Sequence, residues 1–341
     1  MSETRQAPAS AVAQQERGPD RRARLLRRAV TAGPVLALVV LVVAFSVLSP
    51  RFGTVGNAQN VLDQAAILLV LALGVTFVVL LGGIDLSLEG VMATSSLVVV
   101  LLATNDRNGM DLGYVAVLAG VLTGTLFGLA NGVLTTALRI PSFMVTLGTG
   151  AIGIGTATVL FEGRAPRMLD PELRSWGQDK ALGVSLLVFV AALVLLVTYL
   201  LQRYTRMGRY AYVIGGDEQI ARLSGISIAR YKILGYTLSG TTAGLAGVMA
   251  ASRLGVGEVQ IGSGLLFTAI TAVVLGGTVL AGGRGGVLHT LVGALLISVL
   301  ANGLILVGVP ATVQQSVQGV VVIVAVAATG WHLRSRTRVV K

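Results

Sequence analysis

The chain has 341 residues, of which 54% are hydrophobic and only 12% charged, a balance that excludes a soluble globular protein. It has no cysteine, which excludes disulfides, thiolate metal sites and cysteine nucleophiles. A net charge of +11 is explained below by membrane topology and calls for no nucleic-acid partner.

Residues 1–30 are polar, rich in Ala, Gln and Arg, and lack apolar periodicity, so they are expected to form a disordered, basic cytoplasmic tail. The next apolar run is span-length and has no small-residue cleavage site after it, so it reads as an anchor rather than a removed signal peptide. Residues 31–332 are expected to form one all-α membrane domain, and 333–341 a second basic cytoplasmic tail. Ten apolar runs approach or reach the ~20 residues that cross a bilayer. They are 32–48, 64–81, 88–103, 113–138, 142–160, 182–201, 233–252, 266–281, 285–307 and 312–331. The runs at 88–103 and 266–281 are short for full spans and read as broken or tilted helices.

Lys and Arg set the orientation. With the N-terminus inside, only Arg51, Arg107, Arg164, Arg167, Arg174, Lys180 and Arg253 of the 26 basic residues lie outside. Both termini are therefore expected in the cytoplasm, which an even number of spans allows. Glycine is abundant, at 44 residues. In water each would cost a helix about 1 kcal/mol against alanine, but in lipid small residues let helix backbones approach. Gly120, Gly124, Gly128 and Gly132 share one face, so that span is expected in the interior against other helices, and Gly240 with Gly244 repeat the spacing once. Leu129-Ala130-Asn131-Gly132 recurs as Leu300-Ala301-Asn302-Gly303 five spans later, which suggests an inverted five-helix repeat.

Catalytic motifs are lacking. No Walker A sequence is present, and Gly148-Thr149-Gly150-Ala151-Ile152-Gly153 matches a dinucleotide fingerprint but lies inside an apolar span without a βαβ unit. His289 and His332 have no partners at ligand spacing, and no nucleophile sits beside a base. No cofactor, metal or enzyme activity is expected. The intramembrane polar groups say more. Leu81-Gly82-Gly83-Ile84-Asp85-Leu86-Ser87 interrupts the hydrophobic pattern, and Glu89 follows. An acid at membrane depth faces a cavity or a partner, and the Gly-Gly pair permits an unwound segment. Asp85 can equally cap the third span with help from Ser87, and the two roles are compatible. Asn131, Thr146 and Asn302 can line a polar path or simply bridge helices.

One sizeable basic loop, 202–232, carries its own helix signal. Gly215-Gly216 gives a turn, Asp217 can N-cap, Glu218 stands four residues before Arg222, and Gly225 sits where a helix stops. Ile220, Leu223 and Ile226 are spaced as one apolar strip. So short a helix needs packing to be ordered, and it reads either as a docking element for a soluble partner or as an ordinary loop.

Together these pieces resemble the membrane-spanning permeases of ribose-type sugar importers of the ABC superfamily. The match rests on Leu81-Gly82-Gly83-Ile84-Asp85-Leu86-Ser87, on Asn131-Gly132 with Ile140-Pro141-Ser142-Phe143-Met144-Val145-Thr146-Leu147-Gly148, on Gly215-Gly216-Asp217-Glu218 through Ala221-Arg222-Leu223-Ser224-Gly225-Ile226, and on Ala272-Val273-Val274-Leu275-Gly276-Gly277 with Gly282-Gly283-Arg284-Gly285-Gly286. It covers roughly residues 62–308. The resemblance implies a monosaccharide pathway made by two permease subunits, as a homodimer, in a bacterial inner membrane. It further implies two cytoplasmic ATPase domains and an extracytoplasmic sugar-binding protein, with residues 217–226 as the coupling helix.

Two departures stand out. Leu88-Glu89-Gly90 replaces the family's Val-Gly-Ser, and Leu265-Leu266-Phe267-Thr268 replaces its Tyr-Glu-Leu-Asp, which leaves ribose itself less certain than a sugar. A self-contained alternative is a secondary transporter whose Asp85 and Glu89 carry protons. Such a carrier needs no ATPase dock.

Overall fold

The computed structural model describes residues 21–310, 313–314, 316–317 and 319–320, with side chains from residue 33 onward. In chain order the elements are α1 (Arg21–Leu48), α2 (Val55–Leu80), α3 (Leu88–Leu102), α4 (Tyr114–Ala137), α5 (Ser142–Phe161) and α6 (Pro171–Gln178). A two-residue hairpin of β1 (Lys180–Ala181) and β2 (Val184–Ser185) follows. The rest are α7 (Leu186–Tyr204), α8 (Arg206–Gly216), α9 (Glu218–Leu223), α10 (Ile228–Leu254), α11 (Leu265–Leu275) and α12 (Val287–Leu306). Six helices (α2, α4, α5, α7, α10 and α12) are long and apolar enough to cross a membrane, while Gly33–Leu48 of α1, α3 and α11 are shorter apolar helices.

The chain is thus an all-α membrane protein, and a helix lies in each of the first nine apolar runs. Most of the run at 312–331 falls outside the described residues, as do all of 1–20 and 333–341. Helix α1 begins at Arg21, inside the segment read as a tail. The run at 182–201 starts as the β-hairpin and becomes helical only at Leu186. The run at 266–281 is broken as expected. Helix α11 holds 11 residues, about 16 Å at helical rise and so roughly half the hydrocarbon thickness.

What precedes α11 explains its shortness. From Gly255 the chain turns back as a non-helical segment along α3, where Glu258 N–H meets Ser96 Oγ (3.4 Å) and Gly264 N–H meets the Glu89 carboxylate (2.9 Å). Side chains of a neighbouring helix thus replace part of the missing helical ladder, the condition under which irregular backbone survives inside a membrane protein.

Helices α2 and α10 form the centre. Residues Val70 to Leu73 of α2 are wholly inaccessible, and α10 packs against α2, α3 and α4. The α4–α10 contact is backbone on backbone. A Cβ on Gly124 would overlap the Gly240 carbonyl, and one on Gly128 would overlap the Tyr236 carbonyl, so both expected glycine faces meet each other. At one end of the bundle, Asp106 accepts from Arg167 N–H (2.8 Å) and from Arg164 (3.0 Å). The Arg167 amide, more than the Arg164 charge, holds the Asp106 carboxyl below its ordinary range.

Gly128→Val should lower the thermal midpoint in detergent by several degrees, because overpacking costs typically 1–3 kcal/mol. Gly148→Ala, with open space at its Cβ, should leave it within a degree or so. Equal midpoints for the two variants would exclude backbone contact as the basis of this packing.

Candidate functional site

The break between α2 and α3 is organised by one carboxylate. Leu81 ends α2, Gly82 takes a positive φ of 76°, and the chain crosses to Ser87 without helix. Asp85 is only 1% exposed. Its Oδ1 accepts from Ser87 N–H (3.0 Å) and Ser87 Oγ (2.6 Å), and its Oδ2 accepts from Ser239 Oγ on α10 (2.8 Å). Among the described residues no basic side chain pairs with it. Its carboxyl oxygens are met by hydrogen bonds from hydroxyl and amide groups.

The network extends outward from Ser87. Asn131 of α4 donates to Ser87 Oγ (2.9 Å), and Thr149 of α5 donates to Asn131 Oδ1 (2.5 Å). Ile84 is held by its backbone. Its N–H donates to Ser142 Oγ (3.2 Å), and its carbonyl accepts from Tyr236 OH and Thr146 Oγ1, each at 3.4 Å. One seven-residue loop is thereby tied to α4, α5 and α10.

Asp85, Ser87, Asn131 and Thr146 from the sequence therefore come together. The other two do not. Glu89, half-buried in the first turn of α3, turns to the amide of Gly264 at the start of α11. Asn302 is buried on α12, shares no hydrogen bond with the Asp85 group, and leaves its Oδ1 without a partner among the described residues. Sequence reasoning missed Ser239, Thr149 and Tyr236. Thr149 lies one residue past Ile140–Gly148 and inside the glycine-rich Gly148–Gly153 stretch, where it carried no polar-path signal of its own. Ser239 and Tyr236 carry no local signal, because only the packing of α10 against α2 and α4 brings them to Asp85.

The loop after α7 holds two helices where one was expected. Helix α8 buries Gly208, Ala211 and Ile214 at three-residue spacing, and the Gly215-Gly216 pair is its last turn rather than a free one. Gly283 N–H donates to the Leu80 carbonyl (3.0 Å) beside Gly215, so α8 abuts both the end of α2 and the glycine-rich segment before α12. Asp217 then caps α9, accepting from Gln219 N–H (2.9 Å) and Ile220 N–H (3.0 Å).

The far end of α9 closes with Ile226 N–H on the Ala221 carbonyl (3.1 Å) and Gly225 N–H on the Arg222 carbonyl (3.1 Å). Gly225 has a φ of 74°, the left-handed stop that this motif requires. Ser224 bonds back to the Ile220 carbonyl (2.9 Å). Glu218 bridges to Lys232 on α10 (2.7 Å) and reaches Arg222 (3.5 Å).

The expected apolar strip is split. Ala221 is fully buried, and Ile226 packs beside it against Leu80, Leu81 and Tyr231. Leu223 is 89% exposed and Ile220 58%. Ile226 lies past the helix end, where the left-handed turn redirects it inward. A helix fastened at both ends that displays a bare leucine has the form of a docking knob.

No group of three or more His, Asp or Glu able to hold a metal ion exists among the described residues. Asp85→Ala would orphan two Ser87 donors and the Ser239 hydroxyl. Each unsatisfied buried group costs about 1–3 kcal/mol, so the variant should lower the thermal midpoint in detergent, whereas exposed Asp179→Ala should not. Matched midpoints for the two variants would deny Asp85 its organising role.

A family described as branched-chain amino acid transport system / permease component matches residues 57–326. The ribose import permease RbsC of Escherichia coli K12 is 37% identical over 296 residues, 86% of this chain and 91% of the relative. Its Bacillus subtilis counterpart is 38% identical over 296 residues, with the same coverage of both chains. The D-allose permease AlsC of E. coli K12 is 32% identical over 296 residues, 86% of this chain and 90% of that one. No solved structure matches the chain. A match of this extent, over a helical bundle with its buried loop and capped external helix, makes the chain a member of that family of transport permease components.

Proposed function

We propose that the protein is the membrane-spanning subunit of a bacterial ABC importer and forms the pathway for a monosaccharide of the ribose or allose type. The observation that carries this reading is near end-to-end identity above 30% to ribose and allose permeases, joined to an externally capped helix with an exposed leucine. The family description names amino acids, but full-length relatives at this identity weigh more, so a sugar is preferred. The protein acts as a conduit and not as an enzyme. It sits in the inner membrane among its lipids and works as a homodimer. An extracytoplasmic binding protein delivers the sugar, and cytoplasmic ATPase subunits drive its passage.

In this reading Asp85, Ser87, Asn131 and Thr146 hold the inner part of the pathway, with Glu89 and Asn302 further along it. Gly216, Asp217, Glu218, Ala221, Leu223, Ser224, Gly225 and Ile226 form the coupling helix and its caps. Ten spans with both termini in the cytoplasm complete the topology, and pairwise packing favours an inverted repeat. Helix α4 packs on α10 as α12 packs on α2, and α3 packs on α4 and α10 as α11 packs on α12 and α2. Exchanging α2 with α10, α3 with α11 and α4 with α12 preserves these contacts, as an inverted repeat requires.

Leu223→Asp would carry a charge into an apolar contact, and leaving such a charge buried and unpaired costs roughly 3–5 kcal/mol. In the reconstituted complex the ATPase should dissociate from this variant or cease to respond to the sugar-loaded binding protein. Co-purification and stimulated hydrolysis at wild-type levels would refute the docking role. Uptake into proteoliposomes should also require hydrolysable ATP. Equal uptake with a non-hydrolysable analogue would favour a proton-coupled carrier.

A further inference from the structure

A cavity lies away from the Asp85 network, where the last turn of α7 meets α8 and the start of α12. It measures about 360 Å³, and its walls include Tyr199, Gln202, Arg203, Arg209, Tyr212 and His289. Its shape is held by a small knot of bonds. Gln202 Oε1 accepts from Val287 N–H (2.7 Å), its amide nitrogen meets the Tyr212 hydroxyl, and that hydroxyl donates to the Gly285 carbonyl (2.7 Å). The lining contains two arginines and no acid, and neither arginine forms an ion pair among the described residues.

Two further features make this more than a basic patch. A second, apolar groove of about 170 Å³ shares Leu288 and His289 with the cavity and runs between α1 and α12 past Pro34, Val35 and Val292. Beside the cavity, α7 leaves Leu193, Leu196 and Leu200 exposed at helical spacing, a face suited to lipid. The cavity therefore sits where apolar helix surface gives way to the basic loop, with a polar, cationic compartment continuing into a hydrocarbon-lined one.

We propose that this paired cavity binds an anionic phospholipid of the inner leaflet, its phosphate between Arg203 and Arg209 and an acyl chain in the groove along Leu288. Arg guanidinium groups match phosphate oxygens through paired N–H donors, and cationic pockets at the cytoplasmic edge of spanning helices suit acidic headgroups. The tyrosines supply the amphipathic rim that favours the interface. Because α8 leads into the capped helix α9 through the single residue Asp217, an occupied cavity braces the base of that helix. The inference rests on the proposed orientation, with residues 202–232 on the cytoplasmic side, and not on which solute the protein carries, so a failed sugar assignment would leave it standing.

The test uses the full chain purified in detergent. Phosphatidylglycerol, phosphatidylcholine with the same acyl chains, and soluble glycerol 3-phosphate are each titrated, with binding read by native mass spectrometry and by the thermal midpoint. Phosphatidylglycerol should bind and raise the midpoint, and the other two should not. The Arg203→Gln, Arg209→Gln double variant should bind it about 30-fold more weakly, as expected for two basic groups removed from an acidic surface. Leu288→Trp, which fills the groove and leaves both arginines, should also weaken it. Both arginines are exposed, so folding should survive, and single Arg209→Gln should show a smaller loss of the same kind. Equal binding by wild type and double variant, or equal response to the two phospholipids, would overturn the proposal. A full response to glycerol 3-phosphate would mark a free-phosphate site and overturn the lipid assignment.

Discussion

A buried carboxyl group held by hydroxyls and an amide sets the terms for the middle of this protein. Asp85 gathers three donors from Ser87 and Ser239, and through Ser87 it reaches Asn131 and Thr149. Removing a helix from the α2–α3 junction leaves backbone groups that lipid cannot satisfy, and the polar ends of α4, α5 and α10 take over that task. Each of those helices is thereby held to one position. The break can exist only because three neighbours are in place, and the neighbours are aligned by the break.

Close approach of those neighbours depends on missing side chains. The glycine faces of α4 and α10 bring carbonyl against Cα, which leaves little room for sliding and gives α10 its place at the centre. Apolar side chains in lipid gain little from meeting each other, so contact area and hydrogen bonds must do what water does for a soluble core. That shared logic links the glycine stripe to the buried hydroxyls, since both let elements sit tightly where the hydrophobic effect does not push them together.

Much of this was legible in the chain. Span-length apolar runs located helices because lipid demands them, and glycines four apart announced the α4 contact. Asp217, Glu218 and Gly225 encoded a capped helix locally, with donors and acceptors within a few residues. What escaped was long-range or mixed in character. Helix α8 was hidden because the Gly215-Gly216 pair signals a turn locally, whereas in the fold that pair is the helix's last turn, packed against the end of α2. Ser239 belongs to the Asp85 group by a contact across 154 residues, which spacing cannot reveal. Ile226 was assigned to the face of α9 by periodicity, yet periodicity ends where Gly225 turns left-handed.

The segment returning along α3 has a different mechanical character from everything around it. A helix can shift only as a rod, because its ladder of internal bonds must move whole or break. The stretch from Gly255 to Gly264 is fastened instead at separate points, among them Ser96 Oγ, Glu89 and the Pro166 carbonyl. Such fastenings can be exchanged one at a time, each at the modest net cost of a single hydrogen bond, about 0.5–1.5 kcal/mol. The bundle therefore contains a thread beside its rods, and α11 hangs from that thread at Gly264, where the fastening is a single bond to the Glu89 carboxylate.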